Sequence, residues 1–112
     1  MQKSSVFTMT AVATAAVAAN RFIGLLTGAH CAAAAKAQGV SQYPAAIGEA
    51  FAVDVLGTAI VEAGGAIAVG GPIKADASGK AVAQAGAGEI LGYAVMAASA
   101  DGQKIEVLLR LL

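Results

Sequence analysis

The chain has no tryptophan, two tyrosines, three phenylalanines, two prolines, one histidine and one cysteine. Its charged residues make up only 12%, against roughly 25% in an ordinary soluble domain. Each scarcity excludes something. With one cysteine, Cys31, no internal disulfide forms, and folding needs no oxidising compartment. One histidine and one cysteine cannot supply the ligands of a zinc site. Few aromatic rings leave little on which to stack a sugar or a base. Seven basic residues scattered from Lys3 to Arg110, balanced by seven acids, give zero net charge and no basic face for phosphates, so nucleic acid is not an expected partner.

What the chain has is small apolar residues. Thirty alanines and fourteen glycines lie among 112 residues, and hydrophobic residues reach 58% without counting glycine. A typical domain reaches about 45–50% with glycine included. Alanine raises hydropathy while supplying little area to bury. A chain with so few charges and zero net charge is poorly protected against association. Extensive burial against partners is expected. The length allows one domain with a modest core.

The first residues have the outline of a secretory signal, with Lys3 ahead of a mildly apolar stretch and small residues at 16–19. That stretch contains Ser4, Ser5, Thr8, Thr10 and Thr14 and no leucine, so we read it as a strand and an alanine-rich connection. It is too short and too polar to span a bilayer.

Residues 4–11 have β content in Val6, Phe7, Thr8 and Thr10, and no obvious partner within the chain. They read as an extended arm or first strand, which sets residues 1–20 apart from a single β-rich domain over 21–112. Alanine propensity favours helix over residues 14–19, which Asn20 interrupts, and over 30–38, where nine residues are marginal for a helix. Strands are expected over 21–26, 49–56, 58–63, 66–69, 72–75, 80–85 and 90–98. Gly57, Gly64-Gly65 and Gly70-Gly71 separate several of them, and Asp76-Ala77-Ser78-Gly79 and Asp101-Gly102 read as turns. Turn signals every eight to twelve residues, with no long amphipathic helix after residue 40, predict a small all-β barrel or sandwich.

The last strand, from Lys104, carries leucine on both faces. Ile105, Val107, Leu109 and Leu111 lie on one, and Leu108 and Leu112 on the other with Lys104, Glu106 and Arg110. A half-buried strand shows polar residues to water, so a partner chain is expected over the second face. Val6, Phe7, Met9, Leu108 and Leu112 are the candidate contact residues.

Candidate chemistry is thin. His30 and Cys31 are adjacent, and adjacent strand residues point to opposite faces, so they make a poor nucleophile and base. A surface histidine beside a buried thiol is expected. Asp54 and Glu62 could face each other across a hairpin at Gly57. In Gly86-Ala87-Gly88-Glu89-Ile90-Leu91-Gly92 the third glycine is one place late for a dinucleotide loop, and a strand follows where a helix is needed. Ser78-Gly79-Lys80-Ala81 lacks the upstream glycine and the hydroxyl of a phosphate loop. No catalytic residue, cofactor or metal is expected.

One set of landmarks runs through most of the chain: Asn20-Arg21-Phe22-Ile23, Gly39-Val40, Gly48-Glu49-Ala50-Phe51-Ala52-Val53, Gly57-Thr58-Ala59-Ile60-Val61-Glu62-Ala63-Gly64, Gly70-Gly71-Pro72-Ile73-Lys74-Ala75-Asp76-Ala77-Ser78-Gly79 and Ile90-Leu91-Gly92-Tyr93-Ala94. In order and spacing they resemble the capsid cement, or head decoration, proteins of tailed bacteriophages. The resemblance implies a non-enzymatic, β-tulip-like protein on the virion exterior, bound where major capsid subunits meet. The expected partners are the major capsid protein and further copies of this chain, as a trimer or else a dimer, with no membrane or nucleic acid. Two other classes stay open. A lipoyl-type carrier would present Lys80 at an exposed hairpin tip. A secreted β-module would have its N-terminus cleaved.

Overall fold

A computed structural model describes residues 5–84, 86 and 88–110. Eight strands form in chain order: β1 (Ser5–Val12), β2 (Phe22–Gly24), β3 (Ala37–Ser41), β4 (Ala50–Glu62), β5 (Pro72–Ala75), β6 (Ala81–Ala83), β7 (Gly92–Ala94) and β8 (Lys104–Leu109). They make one sheet in the order β2-β3-β4-β8-β7-β5-β6, with β1 also paired to β4. Every strand pairing is antiparallel. The sheet curls into a nearly closed barrel with no helix among the described residues, so the all-β expectation holds.

β4 organises the molecule. Its thirteen residues alternate in burial and serve two cores. Phe51, Val53 and Val55 enter one, with Ala13, Val17, Ile23 and Ala45. Ala59 and Val61 enter the other, with Phe22, Ile73, Ile105, Val107 and Leu109 among its members. Burying a phenylalanine, isoleucine or valine side chain contributes about 1.5–3 kcal/mol. The larger residues of the two clusters therefore carry most of the stability, and the alanines fill gaps between them.

Four expectations are corrected here. Gly57 does not end a strand. It takes a left-handed φ of 97° inside β4, close to irregularities in the β1–β4 register, and the strand continues to Glu62. The expected hairpin facing Asp54 to Glu62 therefore does not exist. Asp54 instead accepts hydrogen bonds from Gln42 Nε2 (2.6 Å) and Thr8 Oγ1 (3.3 Å). Second, residues 5–12 have a partner after all: β1 lies along residues 50–57 of β4. Third, neither alanine-rich stretch is helical. Val17 and Ala45 exchange both backbone hydrogen bonds, Cys31 N–H donates to the Phe22 carbonyl, and Ala34 sits at φ 57°. Propensity over so few residues yields to tertiary pairing. Fourth, residues 66–69 form a corner carrying one bridge at Ile67, and the long strand expected over 90–98 shrinks to β7.

The fold contains the same order of parts twice. In the first half Val17 bridges Ala45, a corner leads into β2, and β3 leads by a second corner into β4. In the second half Ile67 bridges Ala98, a corner leads into β5, and β7 leads by a second corner into β8. All four corners carry one residue with positive φ: Asn20 at 60°, Gly48 at 88°, Gly70 at 76° and Gly102 at 91°. The β2 turn at 24–28 corresponds to the β5–β6 turn at 76–79.

An ionic network ties the halves together. Arg21 Nη2 lies 3.3 Å from Glu62 Oε1, and Lys80 Nζ lies 3.4 Å from Glu62 Oε2 and 3.0 Å from Asp101 Oδ1. The Phe22 N–H donates to the Gly79 carbonyl at 2.7 Å. Both expected turn glycines have left-handed φ, 78° at Gly79 and 91° at Gly102. Valine at either should lower stability by about 1 kcal/mol or more. Gly79 should be the worse, because its new Cβ would lie 2.7 Å from the Phe22 carbonyl oxygen, whereas Gly102 has open space. Urea melts of the two variants check the order.

Candidate functional site

The described residues contain no group of three or more His, Cys, Asp or Glu able to hold a metal ion. His30 and Cys31 do not cooperate. The Cys31 thiol is fully buried and donates to the carbonyls of Ala35 (3.5 Å) and Lys36 (3.4 Å), and burial pushes its pKa up. A thiol so held is a poor nucleophile. His30, expected on the surface, is half-buried. Its Nε2 accepts the Ala18 N–H at 2.9 Å, fastening the first corner. Burial, then the charge of Arg21, holds its pKa below the ordinary value of 6.5. Folding thus favours neutral His30. Its contribution is complete above pH 6.5 and is lost as pH falls through the depressed folded value. We expect the melting temperature to drop over that acid window in the parent and to drop less in His30→Gln. Parallel pH profiles for the two would refute the fastening role. Lys80, the lysine that the carrier alternative needs at a free tip, has its ammonium engaged by Glu62 and Asp101.

The remaining candidate is surface. On β4, Val55 and Ala59 enter the two cores while Leu56 and Thr58 turn outward. Phe7 of β1 lies opposite Leu56, and Leu108 of β8 lies opposite Thr58. The register therefore gathers Phe7 (54% exposed), Leu56 (38%) and Leu108 (49%) into one outward apolar patch at the middle of the long strand, flanked by Tyr93 opposite Leu108. Of the five residues singled out from sequence, Phe7 and Leu108 come together here. Met9 does not. It lies opposite Val53, takes a weak contact from Gln38 Nε2, and borders a separate groove with Val12 and Leu26. The Val6 side chain and Leu112 lie outside the described residues. Leu56 was missed, although in the strand expected over 49–56 it falls on the side opposite Phe51, Val53 and Val55.

Over residues 1–111 the sequence matches the family described as phage cement protein. The chain belongs to the phage cement protein family. A solved structure, the N base of head fiber gp8.5 in bacteriophage phi29, is similar with a TM-score of 0.78 and 26% identity, covering 93% of each chain. No curated protein matches. The cement protein is thus a phage structural, capsid-associated component of the virion, and its family suggests that it is not an enzyme. That agrees with a surface whose distinctive feature is an apolar patch.

Proposed function

We propose that this cement protein binds the exterior of the assembled phage head and stabilises contacts between major capsid subunits. It would act as a small homo-oligomer, a trimer or else a dimer, with β1 part of the same β-rich unit as the rest of the sheet. The observation that carries this reading is the Phe7–Leu56–Leu108 patch on a member of this family. An exposed patch of that kind marks an association site. A ligand that binds only the assembled lattice stabilises it by mass action, and an oligomer touching several subunits adds multivalency. Phe7, Leu56 and Leu108 would lie in the contact.

Co-sedimentation with undecorated heads tests the reading. Binding should persist from about 0.1 M to about 1 M salt, a range over which the screening length falls from about 10 Å to about 3 Å. Apolar burial does not depend on that length. Loss of binding at moderate salt would instead favour ion pairs, and no sedimentation at any salt would defeat the capsid reading. Sedimentation velocity of the free protein reads the oligomer, and a monomer both free and on heads would defeat that part.

A further inference from the structure

Two cations stand beside the apolar patch. Leu109 is buried, while Leu108 and Arg110 on either side of it are exposed. Arg110 therefore follows Leu108 on the outward side of the chain, about 7 Å further on. Its N–H donates to the Leu91 carbonyl at 2.8 Å, which fixes its backbone. At Arg110 a hollow of about 280 Å³ opens, with buried Ala37 and Leu91 at its base, Leu25 and Ile90 beside them, and Lys36, Glu89 and Arg110 exposed at its rim. The framework is fastened. The Lys36 carbonyl accepts the Leu25 N–H and the Cys31 thiol, each at 3.4 Å, and the Glu89 N–H donates to the Ala34 carbonyl at 3.2 Å. The charged ends are different. Among the described residues the ion pairs engage Arg21 and Lys80, and none engages Lys36 or Arg110. Two cations against the single acid Glu89 leave the hollow with one excess positive charge.

We infer that this hollow seats one carboxylate, an aspartate or glutamate of the major capsid subunit that covers the patch, with an apolar neighbour of that acid against Leu25 and Ile90. The inference rests on the capsid-binding reading above and adds the partner's chemistry to it. Charge complementarity selects the ligand. One carboxylate matches the excess of one, and the Arg110 guanidinium offers it a planar fork beside the Lys36 ammonium. A doubly charged phosphate would exceed that excess and meet Glu89. Continuity selects the source, since Arg110 is the next outward residue after Leu108 and borders whatever covers it. The chain's own acids are mostly committed. Glu49, Asp54 and Asp76 accept hydrogen bonds within the chain, and Glu62 and Asp101 are in ion pairs. Glu89 lies in the hollow itself, which leaves Glu106 as the acid a second copy could offer. A fastened framework lowers the cost of ordering on binding. Once seated, the pair is partly buried and is screened much less than exposed charges, so the salt resistance expected above stands.

Carbodiimide coupling, which joins an amine to a carboxylate in direct contact, reads the seat. On decorated heads Lys36 should be joined to an aspartate or glutamate of the major capsid subunit, in a product absent from the free protein. Lys36→Glu and Arg110→Glu should each weaken co-sedimentation with undecorated heads by about tenfold or more, because like charges would meet across the contact. Lys36→Arg should bind like the parent. All three variants should melt like the parent, since neither cation holds an ion pair among the described residues. Parent-like binding by both reversed variants would overturn the seat and leave the capsid reading standing. Binding lost together with the melting transition would show that the two cations act in folding, and would overturn the seat as well. A product joining Lys36 to Glu106 of a second copy would overturn the occupant inferred here. Failure of the parent to bind heads would overturn the capsid reading instead.

Discussion

Alanine at Gly39 or at Gly92 is expected to lower stability by about 1–3 kcal/mol, and valine by more. The two glycines occupy the same place in the two halves, Gly39 on β3 beside β4 and Gly92 on β7 beside β8. A Cβ on Gly39 would lie 2.2 Å from the Asp54 carbonyl oxygen, and one on Gly92 would lie 2.3 Å from that of Leu108. Both obstacles are backbone atoms in the paired strand, so no side chain can swing aside. Neither site depends on a left-handed φ, and the cost is one of close approach. Chemical denaturation of the alanine and valine variants measures it. A parent-like midpoint at either site would mean that the strands separate easily there.

Glutamate at both Leu56 and Leu108 is expected to weaken head binding by about 100-fold or more, because a contact would have to bury two unpaired carboxylates. The free protein should still melt cooperatively, with a loss of about 1–2 kcal/mol at most, since both side chains already stand partly in water. Val69→Glu, at an exposed position on the 67–71 corner outside the patch, is the control and should bind like the parent. Full binding by the double variant would remove the patch from the contact. Binding lost together with the melting transition would show that the leucines act in folding.

Much of this architecture is legible in the sequence where a residue pattern has one physical meaning. Alternation over 49–56 and from Lys104 onward marks two strands, and Asp76-Ala77-Ser78-Gly79 and Asp101-Gly102 mark turns whose glycines do take positive φ. Gly57 misleads because glycine signals both a break and a bulge, and only pairing with β1 and β8 decides between them. The alanine-rich stretches mislead because their helix propensity is local, while Val17 and Cys31 are held by residues far along the chain. The duplication is hidden for a different reason. What recurs is corner geometry, met by asparagine at position 20 and by glycine at 48, 70 and 102, with little shared identity around it. The patch is half legible: Phe7 and Leu108 stand out as apolar residues on a wet face. That they meet through Leu56 is a fact of register, which periodicity does not supply.

Strand β4 has one more consequence. Ser5 lies opposite Gly57 and Leu108 lies opposite Thr58, so the start of β1 and the end of β8 arrive at neighbouring positions along β4. A short linker could join them, and a permuted chain opened elsewhere, for instance at the 76–79 turn, would keep every pairing of β4. The same proximity bears on cargo display. Cargo joined directly at Ser5 or just after Leu109 would start close to Phe7 and Leu108, and with a short tether it would compete with whatever covers them. An exposed loop such as 69–71 would carry cargo clear of that surface.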